Sequence, residues 1–157
     1  MKKQQLIDKI EHAWKDFKES YVGLSAEVMI EPEISGEWSV KELVAHVSAW
    51  EGEALKYLPL ILQGKRPPRY SVLYGGIDAF NAQTAAQARQ LSLDEIIQQA
   101  DETHTRLLAY LQVVPEEEFE SETRFRRRIR LDTYSHYPIH TQAIWDWHLT
   151  VNRKTFL

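Results

Sequence analysis

Residues Trp38 to Glu51 read WSVKELVAHVSAWE. Ser39 followed by Glu42 has the capping-box spacing, in which the serine hydroxyl and the glutamate side chain satisfy free N–H groups at a helix start. Leu43, Val47, Trp50, Ala54, Leu58 and Ile61 then recur at steps of three and four, which puts them on one buried face. Pro59 predicts a kink or an end, because proline lacks the N–H that the helical ladder uses. The pattern nevertheless resumes through Ile61 and Leu62 before Gly64. One residue does not fit a purely apolar face. His46 lies three after Leu43, one before Val47 and four before Trp50, on or beside the inner stripe.

Three further stretches have the same character. Leu6, Ile10, Ala13, Trp14, Phe17 and Tyr21 mark a helix from about Lys3 to Val22, with Gly23 as its stop. Ser92 and Glu95 repeat the capping-box offset, and Leu93, Ile97, Ala100, His104, Leu107, Leu108 and Leu111 carry that helix to Pro115. The last stretch runs from about Asp132 to Val151, with His136, Ile139 or His140, Ala143, Ile144 and Trp147 on its stripe. Pro138 is accommodated there in one of two ways: Ser135 caps a helix with the proline in its first turn, or the helix starts near Asp132 and bends. GKRPPRYSVLYGG, from Gly64 to Gly76, is loop chemistry, and Asp78 to Gln90 has the composition of a short helix. No stretch reads as a strand. The expectation is an all-α fold: one domain over residues 1–157, a four-helix bundle with a long connection between the second and third helices.

Composition narrows the function. The chain has 157 residues, 43% of them hydrophobic and 27% charged, which is ordinary for a globular protein. It has no cysteine. Disulfides, thiolate nucleophiles and cysteine-ligated metal sites are therefore excluded, and a reducing cytoplasm is the expected location. No run of about 18 apolar residues is present, so no membrane contact is expected. The formal net charge of −4 argues against a general electrostatic grip on nucleic acid, and none is expected as a partner.

The histidines carry the chemical signal. His136 and His140 stand at i, i+4, one helical turn apart, which is the spacing for two imidazoles on one metal ion. With His46 they make a facial set of three that leaves positions open for water or substrate. Such a set suits Zn²⁺, Ni²⁺, Fe²⁺ or Cu²⁺. An i, i+4 pair by itself also arises by chance on helix surfaces, and a lone histidine on an apolar face is commonly a hydrogen-bonded core residue. His104 reads as that kind of core residue, or as an acid/base candidate beside the metal. Glu51 reads as a general base or, more simply, as an exposed helix carboxylate. His12 is expected to face solvent.

WSVKELVAHVSAWE resembles the second helix of the DinB-like superfamily, whose signature there is W-S-x-K/R-x-x-x-x-H. HYPIHTQAI, His136 to Ile144, resembles its last helix. The resemblance implies a four-helix bundle and a divalent metal, Zn, Ni or Fe, held by His46, His136 and His140. It also implies a small-molecule substrate and, in thiol-dependent members, a low-molecular-weight thiol. Trp38 to Lys41 and Phe80-Asn81 lean toward the ClbS/DfsB-type branch, linked to self-protection against a reactive natural product. Pro138, between the two last-helix histidines, departs from the pattern.

Two functions follow as expectations. One is a metal-dependent transferase or hydrolase acting on a small electrophile, with Glu51 and His104 as acid/base candidates. The other is a protein that binds and sequesters such a molecule, or a plain structural bundle, in either case as a possible homodimer. The run from Arg124 to Arg130 reads as an anion subsite or as a solvated connector balanced by Glu116 to Glu122. Tyr70 and Tyr74 read as a lid or as plain surface loop.

Overall fold

The computed structural model describes residues 1–32 and 38–155. Among these there are helices and turns and no strand. The fold is all-α. Its bundle consists of α1 (Lys3–Tyr21), α3 (Val40–Leu62), α6 (Leu93–Val113) and α8 (Tyr137–Thr155). Shorter helices sit in the connections: α2 (Ala26–Met29), α4 (Tyr70–Leu73), α5 (Ile77–Arg89) and α7 (Arg124–Asp132), with a 3₁₀ turn at Glu116–Phe119.

The capping residues do what their spacing requires. Ser39 accepts from the Glu42 N–H at 3.1 Å. Ser92 and Glu95 form the full reciprocal box at 3.1 and 2.7 Å. Each such cap contributes about 1 kcal/mol. At the far end of α3, Gly64 takes φ +77°, and the N–H groups of Gly64 and Lys65 bond to the carbonyls of Ile61 and Leu60. This Schellman arrangement needs a left-handed residue, which glycine provides without a Cβ clash. Pro59 does not end α3. It lies three residues before the helix end, and the helix runs past it to Leu62.

Polar contacts fix the helix directions. Lys3 binds the carbonyls of Gln112 and Val114 while Lys18 reaches Asp101, so α1 and α6 are antiparallel. Lys41 binds the Leu91 carbonyl and Glu51 meets His104, so α3 and α6 run parallel. Lys9 lies over Tyr134 and His148 meets the Ser20 carbonyl, so α1 and α8 also run parallel. Parallel neighbours cannot be joined by a short turn, which is why a long connection occupies residues 63–92 between α3 and α6. The core between the four helices includes Leu6, Ile10, Phe17, Leu43, Val47, Leu58, Leu107, Leu111 and Ile144.

Two expectations about the last third change. The run from Arg124 to Arg130 is a helix, not a connector: Thr123 caps it, and Phe125 and Ile129 bury its inner face against α3. Asp132 ends α7 rather than starting the fourth bundle helix, and α8 begins at Tyr137. Pro138 therefore falls in the first turn of α8, where a missing N–H leaves no ladder bond unmade.

Candidate metal centre

His46 projects from the second turn of α3, and His136 and His140 flank the first turn of α8. Their Nε2 atoms converge. His136 Nε2 lies 3.0 Å from His46 Nε2 and 3.0 Å from His140 Nε2. All three ligand atoms fall within 4.8 Å of one another, and no other cluster of three ligating residues forms among the described residues. Nitrogens bound to one ion at about 2.0–2.1 Å stand about 3.0–3.4 Å apart, and the two spacings from His136 match that.

Hydrogen bonding alone does not account for the arrangement. A neutral imidazole has one N–H and one ring lone pair. His136 Nε2 can therefore pair with one neighbour and not with both. Charging a ring adds a donor, but the site resists it. Burial, helped by His140 and His136, lowers His46 to about 3. Burial and then His140 lower His136 to about 4, and burial lowers His140 to about 4. Three neutral rings with converging lone pairs form a donor set suited to a divalent cation. Nδ1 of His46 and of His136 is buried with no hydrogen-bond partner among the described residues. Packing orients these rings instead, with Trp38 tilted against His46 at 4.8 Å between centroids.

Glu51 and His104 occupy a different place. Glu51 is fully buried, contrary to its reading as an exposed carboxylate. His104 Nδ1 stands 3.1 and 3.3 Å from its two oxygens. The His104 ring is stacked flat on Trp14 at 4.1 Å, and Tyr137 meets both rings edge-on, at 5.3 Å from Trp14 and 6.3 Å from His104. Burial raises Glu51 and the contact with His104 opposes it. Burial and the Glu51 carboxylate push the Tyr137 phenol well up. This pair ties α3 to α6, and it is not among the groups that depress the three histidines.

The remaining candidates separate in the same way. Arg128 turns inward to Asp132 and donates to the Tyr70 hydroxyl at 2.6 Å. Arg126 and Arg130 pair with Glu122, while Arg124 and Arg127 are exposed. Tyr70 and Tyr74 pack with Trp50 and Phe80 into an aromatic cluster, and the Trp50 indole N–H donates to Asn81 at 2.9 Å. His12 is exposed beside Asp16, as expected. The sequence reading passed over Glu53. It lies seven residues after His46, a spacing that repeats a helical face, and it is buried.

The family model of the DinB superfamily matches residues 9–153. The chain belongs to the DinB superfamily. No curated protein matches it in sequence. Its fold is similar to that of the colibactin self-resistance protein ClbS, solved in complex with dsDNA, at 17% identity and TM-score 0.77 over 94% of this chain and 95% of that one. It is similar also to DfsB, described as a sibling lethal factor precursor, at 16% identity and TM-score 0.80 over 96% of each chain. A protein from Streptococcus pneumoniae shares the fold at 16% identity and TM-score 0.78, over 94% of this chain and 91% of that one. These identities carry the DinB fold and not the activity.

The ClbS complex corrects one expectation. A net charge of −4 was taken to exclude nucleic acid, yet a protein with this fold is found on duplex DNA. Net charge sums the whole surface, whereas contact with a phosphate backbone is local. No helix among the described residues is long and apolar enough to cross a membrane.

Proposed function

We propose that His46, His136 and His140 hold one divalent metal ion, and that the protein acts there on a small electrophilic molecule as a thiol-dependent transferase or a hydrolase. The convergence of three neutral Nε2 atoms, from the buried His46 and the half-buried His136 and His140, supports this reading more than any other feature. A metal ion in such a set supplies Lewis-acid chemistry and lowers the pKa of a bound thiol or water. The chain has no cysteine, so a thiol nucleophile comes from a separate low-molecular-weight compound. The three imidazoles would supply three ligands and would leave further positions on the ion for that compound. Glu51 and His104 enter as a positioning pair: both are buried and engaged with each other, which leaves neither an edge for substrate.

The test is metal content by mass spectrometry on untagged protein purified without added metal, followed by turnover assays with a thiol and an electrophile. Near-stoichiometric metal in wild type and its loss in His140→Ala are the expected results. Substoichiometric metal in both proteins, with no gain on offering Zn²⁺ or Ni²⁺, overturns the metal reading. Metal without turnover leaves capture of a reactive molecule, a second reading favoured by the ClbS fold and its self-resistance role. The same neighbour makes duplex DNA worth testing. The exposed charges on α7 are Arg124 and Arg127, and charge reversal there is expected to reduce any salt-dependent binding of a duplex measured by anisotropy.

A further inference from the structure

The arginines of α7 divide by the side they take. Arg126 and Arg130 pair with Glu122, at 3.5 and 2.9 Å. Arg128 turns inward to Asp132. Arg124 and Arg127 are exposed and form no ion pair among the described residues. At 3.6 residues per turn, Arg124, Arg127 and Arg128 share a side of the helix that points away from Arg126 and Arg130.

That side meets the segment that leaves α3. Gly64 lines one cleft with Thr123, Arg124 and Phe125. Six residues on, the Tyr70 hydroxyl accepts a hydrogen bond from Arg128 at 2.6 Å, and the Tyr70 ring centre lies 5.8 Å from that guanidinium. Between these two anchors the chain reads KRPPR, Lys65 to Arg69. Lys65, Arg66 and Arg69 are exposed and form no ion pair among the described residues. Proline fixes its own φ and disfavours helical backbone in the residue before it, so Pro67 and Pro68 stiffen the segment. Arg69 is extended at φ −66°, ψ 143°. Two stretches 55 or more residues apart in the chain are thereby held together with their free cations outward. Glu118 is the one carboxylate that lines the cleft between them.

We propose that Lys65, Arg66 and Arg69 join Arg124 and Arg127 in one basic face that follows the phosphate backbone of a nucleic-acid duplex. Five unpaired cations are more than one small anion takes up. The cleft beside them holds about 230 Å³, below the range of about 300–1,000 Å³ usual for small-molecule sites. Four of the five are arginine, whose planar fork meets phosphate oxygens two at a time. A duplex presents about one negative charge per 1.7 Å of its axis, the dense charge that such a face can engage without a pocket. This names the surface for the duplex binding raised above, and it is independent of the metal.

The test is anisotropy of a fluorescent duplex of about 20 base pairs, titrated with the full chain between about 50 and 200 mM salt. Each phosphate contact contributes about −0.9 to the slope of log affinity against log salt. Arg66→Gln with Arg69→Gln is expected to flatten that slope by about 2 and to weaken binding at low salt about tenfold or more, as is Arg124→Gln with Arg127→Gln. Lys15→Gln with Arg106→Gln removes the same charge from α1 and α6 and is expected to change neither. Absence of salt-dependent binding in wild type overturns this proposal and the duplex reading together. A slope lost in the α7 pair but kept in Arg66→Gln with Arg69→Gln overturns this proposal alone. Equal losses in the α1 and α6 control mark a net-charge effect and overturn it, as does polyglutamate displacing the probe as well as unlabelled duplex does. Should Arg66→Gln with Arg69→Gln lose helicity, Lys65→Gln decides, with a flattening of about 1 expected and an unchanged slope overturning the proposal.

Discussion

The bundle buries histidine in two places, and the two places solve opposite problems. At the Glu51–His104 pair, each polar group faces a partner that needs it. A ring nitrogen meets a carboxylate at 3.1 Å, and the ring face lies flat on Trp14. At the triad, His46, His136 and His140 face one another with nitrogens of the same kind, and His136 Nε2 stands 3.0 Å from each of the other two. The first arrangement is complete without anything added. The second has lone pairs to spare and resists the protons that would use them, because burial holds all three rings neutral. Burial of a histidine therefore says little by itself. What its nitrogens face decides whether it holds the fold together or is available to a ligand.

The sharpest way to break this comparison is to remove one partner from the complete pair. Glu51→Ala leaves His104 buried and unpaired beside a new void, and a loss of about 3–5 kcal/mol is expected in urea unfolding. A loss below about 1 kcal/mol shows that the pair is not structural. The triad is expected to respond in the opposite sense. His140→Ala leaves the chelated protein folded, and it removes the gain that metal gives. At free Zn²⁺ 100-fold above its dissociation constant, wild type is expected to gain about 2.7 kcal/mol, and the variant close to none. Equal gains in the two proteins place the metal elsewhere.

Much of this was legible in the sequence, and the gaps have physical causes. Ser39 and Ser92 announce α3 and α6 because a cap is a local event, decided within four residues. The shared face of His46, His136 and His140 follows from helical spacing together with the family signature. The helix α7 was missed because Phe125 and Ile129 are its main apolar anchors in a run dominated by arginine, and long arginine side chains mask a sparse stripe. Glu51 was misread because its burial depends on His104, 53 residues away in the chain. Glu53 was passed over for a related reason: the packing of α5 and α6 over α3 buries it, and periodicity along α3 only hints at that. Nucleic acid was excluded wrongly because a summed charge has no location.

Acid gives the finest resolution of the two sites. In the metal-free protein the triad imidazoles bind protons at about 3 to 4, against 6.5 for the ordinary side chain. The unfolded chain therefore takes up protons first as the pH falls, and stability is lost between about 6.5 and about 4. The slope is at most about 1.4 kcal/mol per pH unit for each imidazole. Asp132 works the other way. Burial raises it to about 6 from 3.8, so its contribution is present at low pH and is lost as the pH rises through that window. Comparing wild type with His136→Gln removes this complication, since Asp132 and the Glu51–His104 pair are present in both. The variant lacks one of the three rings, and it relieves His46 of one unfavourable neighbour. Its acid slope below about pH 6.5 is expected to be shallower, so that the difference between the two stability curves changes there and is constant above about pH 7. Parallel curves mean that the triad rings are already solvated in solution, and the contrast between a complete and an incomplete histidine cluster then fails.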